Sequence, residues 1–237
     1  MTRPPVAVPA FDPRTVPVEP AGEALPSVAA DRLRPDALRA RLGVQPPGWH
    51  PELTGDQVRV PGRERDPIRA AVLVPIVLHA QPAVLLTQRT AHLSSHAGQV
   101  AFPGGRRDPG DLDACDTALR EAHEEIGLRR EAVEVLGCLP DYLTGTGYRV
   151  TPVVGLVPAG LVLRLDPYEV ADAFEVPLAW LMDPAQHRRH RVQLGEHASR
   201  TFYSMPYRTR SGSVEREYFI WGATAAMLRN LYRLLSA

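Results

Sequence analysis

The chain has 237 residues, a length that fits one domain carrying an appendage. Hydrophobic residues make up 44% and charged residues 23%, the balance of a globular protein with a buried core. The 27 basic residues cancel the 27 acidic ones, which excludes the positive excess on which dedicated nucleic-acid and membrane-surface binders rely.

Residues 1–30 hold seven of the 24 prolines and show no apolar periodicity, so they read as an extended or disordered tail with little to bury. On that reading, deleting them barely changes the melting temperature. Asp12, Glu19 and Glu23, together with the lack of an apolar stretch, argue against a signal or transit peptide. Residues 31–66 form a second unit. In it Asp36, after Pro35, is placed to cap a short helix that carries Leu38 and Leu42 and ends at Gly43, and a polar, proline-rich connection follows.

Residues 67–237 form the third unit and hold the core. Two strands are expected at Ala71–His79 and Ala83–Gln88, joined by a turn at Gln81-Pro82, and a third at Gln99–Phe102 leads into a turn at Pro103-Gly104-Gly105. A helix over 113–126 is closed by Gly127. Further strands are expected at Val133–Leu139, Arg149–Val157, Leu161–Leu165, 198–205 and 214–220. A short helix at Pro177–Met182 and a final one at Ala223–Leu235 complete the order, the latter with Met227, Leu228, Leu231, Leu234 and Leu235 on one stripe. Strands with interspersed helices give an α+β class, a mixed sheet with helices packed on it. The longest apolar run, Ala70–Leu78, is interrupted by Pro75 and is too short to span a bilayer.

The chain contains no lysine, which excludes a Schiff-base lysine, a P-loop lysine and a Ser–Lys dyad. Cys115 and Cys138 are too few for a disulfide framework and have no metal-ligand spacing, so a reducing cytoplasm is the expected location. The informative segment is Arg120-Glu121-Ala122-His123-Glu124-Glu125-Ile126-Gly127-Leu128. At about 100° per residue, Glu121, Glu124 and Glu125 share one sector, while Cys115, Leu119, Ala122 and Ile126 form an apolar stripe on another side. Three carboxylates so close repel, and a proton or a cation must relieve them. Hard oxygen ligands favour Mg²⁺ or Mn²⁺. A solvated acidic helix face is the plain alternative, and the preceding Phe102-Pro103-Gly104-Gly105 tips the balance, because a glycine turn brings backbone groups close to a ligand.

Gly105, Asp111, Arg120-Glu121-Ala122, Glu124-Glu125 and Gly127-Leu128 resemble the Nudix box, Gly-x5-Glu-x7-Arg-Glu-U-x-Glu-Glu-x-Gly-U, with U a bulky apolar residue. Asp111 replaces the usual Glu, one extra residue separates it from Arg120, and Ala122 is small for its position. The run Leu85-Leu86-Thr87-Gln88-Arg89-Thr90, continuing to Gly98 and Phe102-Pro103-Gly104-Gly105, is similar to the signature of the coenzyme A pyrophosphatase branch of that family. Thr90 stands where that signature has Ser or Ala, and Ser94 replaces its second Arg. Glu169-Val170 through Leu178, and Ile220 through Ala225, also resemble this branch.

The resemblance implies a Nudix-type α/β/α sandwich with a mixed central sheet and a metal-dependent diphosphatase. It implies Glu121, Glu124, Glu125 and the Gly104 carbonyl as holders of Mg²⁺ or Mn²⁺. Glu121, Glu124, Glu169 and Arg120 are its catalytic candidates, and Arg89, Gly104 and Gly105 its substrate-binding ones. The substrate would be a small CoA-like nucleotide, cleaved to 3′,5′-ADP and a 4′-phosphopantetheine product. Another nucleoside diphosphate compound (ADP-ribose, NADH or a nucleoside triphosphate) is the alternative, and a non-catalytic nucleotide-binding protein a further one. Neither a nucleic acid nor a membrane is expected as partner, and assembly as a homodimer stays open. His187-Arg188-Arg189-His190-Arg191 reads as a solvated basic loop, His96 and His123 as structural, and Arg89 equally well as half of a strand-end ion pair.

Overall fold

The computed structural model describes residues 11–20, 24–44, 46–56, 66–92, 98–193, 199–211 and 214–237. Ser94 and His96 lie outside them. The central strand β1 (Ile68–Leu78) runs parallel to β7 (Tyr148–Pro158) along its whole length. A strand covered on both faces needs apolar residues at nearly every position, and this one has them. Val74 and Ile76 enter one apolar cluster, and Ala71, Leu73 and Val77 the other.

The opposite edge of β1 is shared. β4 (Gly104–Arg106) pairs with Ala70–Val72, and β2 (Ala83–Arg89) pairs with Ile76 and Val77. Between them the edge is open, and there the Leu73 amide donates to the Pro103 carbonyl (2.8 Å). Pro75 points its nitrogen the same way, two residues on, so a proline sits mid-strand without costing a ladder bond. β2 also holds β3 (Val100–Ala101) and, along its far edge, β8 (Val170–Pro177). β5 (Glu134–Cys138) and β6 (Tyr142–Leu143) pair with β7, giving eight strands among the described residues.

Helix α2 (Ala114–Ile126) covers one face of this sheet through Ala118, Leu119, Ala122 and Ile126. The other face is covered by α1 (Pro35–Gly43), the short α3 (Leu178–Leu181) and α4 (Gly222–Ser236). With them lies a separate antiparallel sheet of β9 (Arg188–Gln193), β10 (Ser199–Ser211) and β11 (Val214–Trp221). The two sheets are joined by Asp56, which pairs with Arg200 of β10 (2.7 Å) and accepts from the Tyr142 hydroxyl (2.9 Å). Asn230 of α4 exchanges hydrogen bonds with both backbone groups of Leu53, tying down residues 46–56.

Several expectations are corrected. Asp36 lies in the first turn of α1 and pairs with Arg39, while Arg34 holds the N-cap position. Gly104-Gly105 is strand and not turn: β4 begins there, entered through a bend at Pro103. Leu161–Leu165 forms no strand: the Arg164 and Asp166 amides donate to the Ile126 and Glu125 carbonyls at the end of α2, so they are unavailable to a sheet. The sheet strand is β8 instead. The basic run is no solvated loop, because Arg188–Gln193 is β9, with His187 and His190 buried.

Residues 11–20 make a turn at 13–15, closed by the Thr15 amide donating to the Asp12 carbonyl (3.1 Å), and they are packed on the small sheet. Phe11 lies against the Phe202 and Trp221 rings (5.7 and 6.2 Å), Val18 bridges to His190, and the Glu19 amide donates to the Arg189 carbonyl. Val28 and Leu33 are buried.

Candidate active site

The α2 helix is fixed at both ends by local chemistry. Asp113 caps it by accepting the Asp116 amide hydrogen (2.8 Å), and Gly127 closes it in the left-handed region (φ 68°), donating to His123. Its three glutamates do not share one solvent face as the helical projection suggests. Glu124 is exposed, Glu121 is half-buried, and Glu125 is 4% exposed beside the Ala122/Ile126 stripe.

Arg120 organises the outer two. Its guanidinium donates to both oxygens of Asp111 (2.9 and 3.0 Å), to Glu121 and Glu124 (2.9 Å each) and to the Arg106 carbonyl (3.1 Å). Every face of that guanidinium is thereby used within the protein, so it acts as a scaffold. Asp111 is buried and also takes hydrogens from Thr117 and the Asp108 amide, and the Arg120 partner holds its carboxyl well below the usual range. The shorter acid and the longer spacing compensate each other, since Asp111 still reaches Arg120 with both oxygens.

The glycines explain themselves by contact. A side chain at Gly105 would begin 2.6 Å from the Glu121 carboxylate, and one at Gly104 would begin 2.4 Å from the Ala71 carbonyl. The Gly104 amide donates to Glu125 (3.1 Å). Burial raises the Glu125 carboxyl to about 7, against the opposing pull of that amide and of Arg89. Burial also raises Glu121, against the hydrogen bond from Arg120.

Arg89 ends β2 at a bulge and stands between two acids, 3.6 Å from Glu125 and 4.0 Å from Glu169. Glu169 is held by its backbone. The Thr90 amide donates to the Glu169 carbonyl (3.0 Å), the Thr90 hydroxyl donates to the Tyr168 carbonyl (2.8 Å), and Asp166 accepts the Tyr168 amide hydrogen (2.9 Å). In the sequence Thr90 stands only as a departure from the branch signature, and Asp166 belongs to no motif; the signal that points to both is their position beside Arg89 and Glu169. His123 is exposed on the outer surface of α2, and Cys115 and Cys138 face each other with their sulfurs 4.0 Å apart and no disulfide between them.

Glu121, Glu125, Glu169, Arg89, Gly104 and Gly105 thus meet at one end of the sheet, with Glu124 at the rim. Among the described residues, no three acidic, imidazole or thiol side chains already form a closed cation cage; the carboxylates are turned to Arg120, Arg89 and the Gly104 amide. The donor set nevertheless suits a hard divalent cation. It is all oxygen, it is partly desolvated, and in Glu121 and Glu125 it carries charge that burial opposes.

Residues 67–196 match the NUDIX domain family model. The chain is 44% identical over 163 residues to an uncharacterized Nudix hydrolase, NudL, of Escherichia coli K12, covering 69% of this chain and 80% of that protein. It is 42% identical over 178 residues to the NudL of Shigella flexneri, covering 74% and 88%. Among solved structures, a Nudix hydrolase from M. smegmatis, RenU, is 28% identical with a TM-score of 0.41, covering 47% of this chain and 71% of that one. A Nudix protein from Enterococcus faecalis is 18% identical with a TM-score of 0.43, covering 76% and 66%. With the family model spanning more than half of its length and close relatives matched over most of theirs, the chain belongs to the Nudix hydrolase family.

Proposed function

We propose that the protein is a divalent-metal-dependent diphosphatase whose substrate is coenzyme A or a CoA derivative, cleaved by water to 3′,5′-ADP and a 4′-phosphopantetheine product. The observation that carries the hydrolytic part is the buried Glu125 carboxylate set against the Gly104 amide, with Glu121 lying over Gly105. A carboxylate kept dry at a glycine strand, with its ionised form disfavoured, is poorly explained by stability alone.

Glu121, Glu124, Glu125 and the Gly104 carbonyl would hold Mg²⁺ or Mn²⁺. The cation supplies positive charge that offsets the phosphate oxygens and activates water. The chain's own residues do the rest. Arg120, fastened to Asp111, keeps Glu121 and Glu124 from swinging apart. The bare Gly104-Gly105 backbone lets a phosphate approach where any side chain would intrude. Arg89 can turn from Glu125 and Glu169 toward an anionic oxygen, and Glu169, half-exposed on a clamped loop, is free to take a proton from water.

The CoA part rests on Leu85–Arg89, Gly98 and Phe102–Gly105, which match the branch signature. The test is a panel of CoA, ADP-ribose, NADH and nucleoside triphosphates with Mg²⁺ or Mn²⁺ and product identification. CoA should give the highest kcat/KM, with 3′,5′-ADP released. A higher value for another member would overturn the CoA assignment, and no turnover of any would overturn the hydrolase reading.

A further inference from the structure

The sheet face beneath Glu121 continues past the carboxylates into a cavity of about 300 Å³ that none of the roles above uses. That is room for a small organic group as well as an ion. Arg69 of β1 and Arg149 of β7 are register partners at its floor. By strand alternation they share the face of Ala71 and Leu73, which is the face covered by α2. Arg107, just beyond β4, joins them, its amide donating to the Arg69 carbonyl (2.9 Å).

The three guanidiniums are weakly neutralised. Arg69 has no acidic partner among the described residues, and Arg107 is pinned by the Asp111 and Leu112 carbonyls, which carry no formal charge. Among the described residues Arg149 has only Asp141, at 3.9 Å, and that carboxylate already accepts the Thr151 hydroxyl hydrogen. The other acid in the wall, Asp113, is occupied in capping α2. Three like charges held side by side favour an anion between them.

The cavity is also close to the carboxylates. Thr117 in its wall is four residues before Glu121, about 6 Å along the helix. Arg107 is two residues beyond Gly105, on which Glu121 lies, or about 7 Å along the strand. An anion seated there and a diphosphate at Glu121 can belong to one nucleotide. We infer that the Arg69/Arg107/Arg149 cavity binds a phosphate monoester on the substrate's ribose, separate from the diphosphate that is cleaved. This deepens the CoA reading and rests on it for the identity of the natural ligand.

The experiment compares CoA with dephospho-CoA, which has the same diphosphate and lacks the 3′-phosphate. The wild-type protein should show the lower KM for CoA. Arg69→Ala and Arg149→Ala, both exposed positions, should raise the CoA KM by roughly tenfold, keep kcat within about twofold and leave dephospho-CoA unchanged. Equal effects on the two substrates, or no discrimination by the wild type, would overturn the inference. Calorimetry with 3′,5′-ADP and 5′-ADP reads the same site without turnover. If CoA is not hydrolysed but 3′,5′-ADP binds more tightly in an Arg69- and Arg149-dependent way, the catalytic reading fails and this one stands. If CoA is hydrolysed and the two nucleotides bind equally, this one fails alone.

Discussion

Asp111 and Arg120 meet through two parallel hydrogen bonds of 2.9 and 3.0 Å, and both outer glutamates of α2 hang on the same guanidinium. Asp111→Ala should leave a part-buried cation without its main partner and cost on the order of 3 kcal/mol. Denaturant unfolding measures this, and an unchanged midpoint would show that Glu121 and Glu124 alone suffice for Arg120. Activity should fall with it, since Glu121 and Glu124 lose their common anchor.

The metal reading gives a prediction with stability and turnover moving apart. Chelation by EDTA should abolish hydrolysis, and Mg²⁺ or Mn²⁺ should restore it. Glu125→Gln keeps the shape and the Gly104 contact but removes the charge, so turnover should drop at least about a hundredfold. The same variant should unfold at an equal or higher denaturant concentration, because burial already disfavours the carboxylate. Full activity in excess chelator would refute the metal site.

Thr90 clamps the Glu169 loop through its hydroxyl. Thr90→Val removes that donor and leaves the shape, so kcat should fall roughly fivefold with KM little changed, equivalent to about 1 kcal/mol. Thr90→Ser, which restores the hydroxyl, should recover most of it. Loss of activity in both variants alike would assign Thr90 to packing.

His187 gives a pH dependence of stability. Its Nε2–H donates to the Leu181 carbonyl (2.7 Å) and Nδ1 accepts from Arg229 (3.2 Å), so the neutral ring is the one that fits. Burial, with Arg229 alongside, lowers its pKa to about 4. The unfolded chain therefore takes up a proton that the folded chain refuses. The contribution is complete above about pH 6.5 and is lost progressively as pH falls toward 4, by on the order of 3 kcal/mol. His187→Gln should flatten this part of the pH–stability curve; an unaltered slope would refute the assignment.

Removal of residues 1–20 should destabilise the protein, contrary to what proline content suggests. Loss of the Phe11 contacts with Phe202 and Trp221, and of the pairing at Val18 and Glu19, is worth about 2 kcal/mol, or roughly 4–8 °C in Tm. A thermal melt of the truncated chain checks it.

The sequence shows α2 plainly, because its period and its terminal Gly127 agree, while the Asp113 cap emerges only from the structure. β1 and β2 are equally legible as continuous apolar runs between turns. Leu161–Leu165 misleads because Leu163 and Leu165 pack on the α2 cluster without any strand partner, a tertiary choice that alternation cannot reveal. β9 hides in a charge run, since His190 earns its buried place by stacking on Phe202 (4.7 Å) and bonding to Ser204. The identities of the site residues are local, carried by one helix and one glycine strand. Their differing exposure is not, because Glu125 and Glu124 are neighbours in sequence and separated only by what the sheet covers.

The arm of residues 11–20 crosses from β10 and β11, where Phe11 and Arg14 pack, to the outer edge of β9, where Val18 and Glu19 occupy backbone groups that a free edge would offer to any passing strand. An open edge is a template for association between chains, and here the protein's own N-terminal segment closes it. The segment therefore guards solubility as well as fold: a chain lacking residues 1–20 but keeping α1 and residues 46–56 should self-associate through β9, and its sedimentation should grow with concentration while the intact chain's does not.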